Sequence, residues 1–214
     1  MSSLSLAMGH PTLVDRVLIR ALPVDLVLIA AGAAFTALVA QFQVPSWPSA
    51  IPVQTLAVLL VGSFLGCLRG ALSMMLYVTF GALGLPVFGR GTSGMAVLQG
   101  PSGGYLLALV LAAALTGWVA QRSWDHTLVG ATLSFLAGTA VVFALSLPWY
   151  AVVAHLSLSA AAETGLYPFV IGGIIKSLAA ALIVSYAWRK IARSDLRQAE
   201  PDFPGDSIQR SYDR

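Results

Sequence analysis

Six stretches of this chain are apolar enough to cross a bilayer, and away from their edges they hold one formal charge, Lys176. A lone ammonium in hydrocarbon costs about 2.5 to 3.5 kcal/mol on insertion scales, so it persists where it has a partner or a task. The stretches cover residues 24–41, 52–68, 71–85, 104–120, 128–154 and 167–188. Their apolar runs are continuous, whereas a membrane barrel alternates apolar and polar positions in segments of about ten residues. The expected fold is therefore an all-α integral membrane protein with six transmembrane helices. The second and third stretches are short against the ~20 residues a spanning helix needs. Either their boundaries shift by a few residues or neighbouring protein shelters them.

Composition agrees, with 57% hydrophobic residues, 10% charged residues and a mean hydropathy of +0.82, far from the roughly 25% charged of a soluble domain. With the N-terminus inside, the cytoplasmic segments carry Arg16, Arg20, Arg69, Arg122, Arg189, Lys190, Arg193, Arg197, Arg210 and Arg214, and the outer loops carry Arg90 alone. That asymmetry places both termini in the cytoplasm. It also makes the net charge of +3 a topology signal and not a nucleic-acid footprint. Residues 1–22 lack the basic start, apolar run and small-residue cleavage site of a secretory signal and read as a cytoplasmic segment. Residues 23–190 form the membrane domain. Residues 191–214 are polar, contain Pro201 and Pro204, and read as a disordered cytoplasmic tail. The single cysteine, Cys67, excludes an internal disulfide and most cysteine metal sites, and no metal or cofactor is expected.

Energy coupling is missing from the chain itself. Gly172-Gly173-Ile174-Ile175-Lys176-Ser177 imitates the end of a phosphate-binding loop, but the spacing is wrong and the run lies in an apolar helix. The nine Asp and Glu residues fall in loops, tails or membrane edges, so no carboxylate is placed to bind and release a coupling cation in mid-membrane. Uphill transport would need a partner. Two small-residue patterns could bring helices close. Gly62, Gly66 and Gly70 are four apart. Ala30, Ala33, Ala34 and Ala37 give the first helix an alanine face for internal packing or for docking another subunit.

The loop between the third and fourth spans is rich in glycine: Gly84, Gly89, Gly91 and Gly94, then Gly100, Gly103 and Gly104 before Tyr105. Glycines leave amide N–H groups uncovered. The second cluster opens a helix, where the dipole favours an anion or a strong acceptor. A ligand carboxylate or urea-like carbonyl suits such a loop.

Four segments in order, Ile51-Pro52-Val53-Gln54-Thr55-Leu56-Ala57-Val58-Leu59-Leu60, Gly81-Ala82-Leu83-Gly84-Leu85-Pro86-Val87-Phe88, Gly100-Pro101-Ser102-Gly103-Gly104-Tyr105 and Ile174-Ile175-Lys176, resemble the BioY family, the biotin-binding S components of energy-coupling-factor (ECF) transporters. The resemblance covers roughly residues 24–190. It implies an S-component-like bundle of six helices in a prokaryotic plasma (inner) membrane. It further implies biotin as the transported ligand, and a transmembrane T component with two cytoplasmic ATPases as partners. The ligand-binding residues it suggests are Lys176, Gln54, Thr92, Ser93, Tyr105, Gly103, Gly104 and Gly173. Trp47, Trp149, Tyr150, Tyr167, Tyr186 and Trp188 fall near expected interfaces and read as belt anchors, with Trp47 and Tyr105 as candidate ring walls of the pocket. Departures stand beside it. Gly173 occupies the place of the family's aspartate one turn before the lysine, and Thr92 and Leu106 replace an Asn and an Arg carried by some members. Either biotin binds through the remaining groups, or the pocket takes another small carboxylic acid. Lys176 either meets the ligand or snorkels outward from its place nine residues after Tyr167.

A different class also has letters in its favour. Gly91-Thr92-Ser93-Gly94 resembles the Gly-x-Ser-Gly of rhomboid intramembrane proteases, and Ala154-His155 resembles their Ala-His, a serine with a histidine base. His155 lacks the small residues that should follow it.

Overall fold

The computed structural model describes residues 11–16, 18, 21–44 and 51–199. Eight α-helices occur among them: α1 (Leu22–Ala40), α2 (Gln54–Leu65), α3 (Cys67–Ala82), α4 (Met95–Gln99), α5 (Gly103–Ala120), α6 (Leu128–Val153), α7 (Leu158–Gly165) and α8 (Tyr167–Ala199). Short 3-10 turns cover Val14–Arg16, Gly89–Gly91 and Trp124–His126. The one β feature among the described residues is a two-residue antiparallel pairing, Gln43 with Pro52 and Val44 with Ile51, which closes the connection between α1 and α2.

Four helices, α1, α5, α6 and α8, are long and apolar enough to cross a membrane, and α2 and α3 are shorter apolar helices. Twelve residues make α2 about 18 Å long against ~30 Å of hydrocarbon. Ten of those 12 residues are buried. The neighbouring helices α1, α3, α5 and α8 surround it, so its polar Gln54, Thr55 and Ser63 face protein instead of lipid.

The close approaches that build this core come from the predicted glycines, with a different geometry. Gly66 does not continue a helical face. Its φ of +87° turns the chain between α2 and α3, a conformation glycine adopts at no steric cost. Gly62 on α2 lies where an added Cβ would meet the Ala113 carbonyl oxygen at 2.5 Å, and Gly70 on α3 lies over the Gly62 backbone. The three glycines therefore join α2, α3 and α5 internally.

The alanine face of α1 divides. Ala33 is 4% exposed in the core and Ala37 packs against it, whereas Ala30 and Ala34 remain exposed. Docking through Ala33 would require opening the core, so only the Ala30–Ala34 side is a surface.

Two further expectations shift. Arg69, expected in a cytoplasmic loop, sits in the first turn of α3 and is buried with Asp15 at 2.6 Å and Asp25 at 3.2 Å. The edge carboxylate Asp25 is buried with it. The segment expected to be disordered from residue 191 is helical through Ala199. Residues 189–199 contain neither Gly nor Pro, so α8 propagates until the approach of Pro201.

Candidate functional site

The end of the bundle where α3 finishes and α5 begins holds a cavity of about 670 Å³, within the 300–1,000 Å³ typical of small-molecule sites. Its lower wall comes from the starts of α2 and α5 and the middle of α8. Lys176 Nζ donates to the Thr55 hydroxyl at 3.4 Å. That hydroxyl also shares a 3.0 Å hydrogen bond with the Tyr105 hydroxyl. Beside them the Gln54 amide donates to the Tyr77 hydroxyl at 2.9 Å, and Gln54 is part of the cavity lining. Thr55, Tyr105 and Lys176 therefore form one polar floor, drawn from three helices far apart in sequence.

Apolar and aromatic groups complete the enclosure: Phe143, Leu147 and Tyr150 on α6, Phe169 on α8, Leu106 on α5 and Phe88 above. The roof is the segment after α3. The ring of Phe88, 1% exposed, fills the space that the missing side chain of Gly81 leaves open. It stands edge-on to Tyr77, with centroids 5.5 Å apart. The Gly94 N–H donates to the Gly81 carbonyl at 2.7 Å, fastening the loop to the last turn of α3. Gly94 (φ +95°) and Gly91 (φ +72°) supply positive φ where the loop reverses.

Of the residues singled out by sequence, Gln54, Thr92, Tyr105 and Lys176 line this one cavity. Ser93, Gly103, Gly104 and Gly173 do not. Gly103 and Gly104 make room for neighbours, the Leu98 carbonyl and the Trp149 side chain. Trp149 in turn donates its indole N–H to the Gly100 carbonyl at 3.0 Å, so this glycine cluster holds α5 against α6. Gly173 is buried against α6, where an added Cβ would lie 3.1 Å from Thr139 Cγ2 and 3.6 Å from Phe143 Cε2. Trp47 lies outside the described residues.

A family model described as the BioY family matches residues 12–193. The chain belongs to the BioY family. Its relatives include the biotin transporter BioY2 of Lactococcus lactis subsp. cremoris, 34% identical over 72% of this chain and 84% of that protein. The biotin transporter BioY of Thermotoga maritima is 36% identical over 73% of this chain and 92% of its own. A crystal structure of the S-component for biotin from an ECF-type ABC transporter superposes with a TM-score of 0.64 at 24% identity, covering 77% of this chain and 90% of that one. At that identity the likeness establishes the S-component fold. BioY membership with several apolar helices makes this a multi-pass membrane protein of the plasma membrane. It also displaces the protease alternative, and Ser93 and His155 both lie off the cavity.

Sequence reasoning missed Thr55, Arg90, Phe143, Tyr150, Thr164 and Phe169, all in the lining. Thr55 stood next to Gln54 in a segment already singled out, and Arg90 was the one cation of its loop. Phe143 carried no signal and Tyr150 read as a belt anchor, because an aromatic residue facing a cavity and one facing lipid look alike in an apolar run.

Proposed function

We propose that this chain is the substrate-binding S component of an ECF-type transporter and captures biotin in the cavity above Lys176. The observation that carries the reading is the polar floor of Lys176, Thr55 and Tyr105 beneath an aromatic enclosure. Biotin is a cyclic urea fused to an apolar sulfur ring that carries a carboxylate chain; the ureido carbonyl and the carboxylate need donors, and the ureido N–H groups need acceptors. Lys176 donates to an acceptor of the ligand, Gln54 and Tyr105 complete the polar contacts, and Phe143, Tyr150 and Phe169 pack against the rings. The cavity opens outward, with both termini cytoplasmic. A T component docks on the exposed Ala30–Ala34 side of α1 and two cytoplasmic ATPases supply the work.

Binding of labelled biotin to the purified chain in detergent, with other small carboxylic acids as competitors, tests this directly. Saturable binding displaced by unlabelled biotin and not by the other acids is the expected result. Displacement by a different acid at lower concentration would move the assignment to that ligand, a reading favoured by the lack of a side chain at Gly173. No saturable biotin binding would overturn the proposal.

A further inference from the structure

The cavity carries a second cation that the polar floor does not use. Among the 22 described residues that line it are Lys176 and Arg90 and no Asp or Glu. The sequence contains no carboxylate between Asp25 and Asp125, and the exposed Glu163 of α7 does not line the cavity. The two cations occupy different depths. Lys176 is half-buried, about 13 Å along α8 from Tyr167 at 1.5 Å per residue, whereas Arg90 is exposed at the loop that roofs the site.

Arg90 is also held in place. Its backbone lies in the left-handed region, φ 61° and ψ 30°, where a non-glycine residue stays only if its surroundings impose the conformation. Gln41, at the end of α1, imposes it. Its side-chain oxygen accepts the Gly91 N–H at 2.8 Å, and its amide donates to the Val87 and Phe88 carbonyls, each at 3.2 Å. On the far side the Phe88 N–H donates to the Thr92 carbonyl at 3.1 Å. The residues on both flanks of Arg90 are thus pinned, one by a buried ring and the other by α1. A long side chain on a fixed backbone loses less freedom when it engages a ligand.

We propose that Arg90 reads the carboxylate of the ligand at the cavity mouth while Lys176, with Thr55 and Tyr105, takes the opposite polar end. The planar guanidinium suits a carboxylate because its two N–H groups meet both oxygens at once. This rests on the biotin reading and adds two things to it: the orientation of the ligand, carboxylate outward, and selection for the free acid over esters and amides.

The test is equilibrium binding to the purified full chain with biotin and biotin methyl ester as paired ligands. The wild-type chain is expected to prefer the free acid by about 10- to 100-fold, the range for losing a charge-assisted hydrogen bond. Arg90→Gln should weaken biotin by a similar factor, leave the ester unchanged, and so collapse the preference towards one. Arg90→Lys should keep part of it. Gln41→Ala, which frees the loop without touching the guanidinium, should lower the preference less than Arg90→Gln does. Biotin binding with an undiminished acid preference in Arg90→Gln overturns this inference alone. Absence of biotin binding by the wild-type chain overturns the biotin reading and this inference with it.

Discussion

Where α2 gives way to α3, Asp15 and Asp25 share the guanidinium of Arg69, and none of the three side chains is more than 2% exposed. At the other end of the same bundle, the described residues that line a cavity include Lys176 and Arg90 and no carboxylate. The contrast separates two uses of charge in an apolar protein. Opposite charges buried against each other within the chain hold helices together, and removing one partner leaves the other stranded. Like charges that line a cavity, Lys176 among them with the Thr55 hydroxyl as a partner, leave a place for a ligand of opposite sign.

The largest expected effect is at the matched end. Arg69→Met leaves Asp15 and Asp25 without the guanidinium between them and is expected to cost about 3 to 5 kcal/mol. The Thr12 N–H and hydroxyl also bond Asp15, at 3.0 and 3.1 Å. Thermal unfolding in detergent reads the loss, and Arg69→Lys should restore part of it. A variant as stable as the wild-type chain would break the contrast at its structural side.

Lys176→Ala should show the inverse profile. Biotin affinity is expected to fall about 10- to 150-fold, the worth of a hydrogen bond to a charged group. The thermal midpoint should fall less than in Arg69→Met, because the group that Lys176 bonds, the Thr55 hydroxyl, is uncharged. Isothermal titration and thermal unfolding on the same preparation check both halves. Unchanged affinity would make Lys176 a structural residue like Arg69 and end the distinction.

How much of this was legible in the sequence follows the same division. Continuous apolar runs identified α1, α5, α6 and α8, because length and hydropathy alone decide a spanning helix. The start of α3 was misplaced. Arg69 made residues 69–70 read as a loop, and nothing local reveals that Asp15 and Asp25 come to meet it from 54 and 44 positions away. At the cavity, Lys176, Gln54 and Tyr105 were readable as polar groups in apolar surroundings. Phe143 and Phe169 were not, since their role depends on which way a helix faces. The glycine loop was recognised, but its clamp was not: Gln41 works through a tertiary contact with a loop some 50 residues on.

Gly173 offers a finer test of the cavity side. An aspartate there would add a carboxylate one turn before Lys176, at the price of a Cβ 3.1 Å from the Thr139 methyl. Thr139 also bonds the Ser177 hydroxyl at 3.2 Å, so it resists moving. Gly173→Asp is expected to tighten biotin by a few-fold, about 1 kcal/mol, through an acceptor for the ureido N–H. Gly173→Asp with Thr139→Ser should tighten it further, because serine keeps the hydroxyl and removes the crowded methyl. Competition binding on the two variants settles the order. Weaker binding in both would show that an added carboxylate captures Lys176 from the ligand.

The smallest effect concerns a carboxylate at the matched end that is matched incompletely. Asp125 is 1% exposed in the turn before α6 and accepts the Ser63 hydroxyl at 2.7 Å. Among the described residues its other oxygen meets no donor at good hydrogen-bond geometry, with His126 Nε2 4.0 Å away. Burial pushes its carboxyl above the usual range, against the smaller opposing pulls of Ser63, His126 and the Trp188 indole. The folded chain therefore holds this proton more tightly than the unfolded chain, where the value is about 3.9. From that pH up to the raised value folding takes up a proton, so stability falls as pH rises through the window. Asp125→Asn keeps an oxygen for Ser63 and removes the charge. Thermal unfolding from about pH 4 to pH 8 should then show a flatter decline than the wild-type chain and a slightly higher midpoint at neutral pH. A lower midpoint with the wild-type slope would mean that Asp125 is stabilised by its surroundings as fully as Asp15 and Asp25 are, and that the two ends differ without exception.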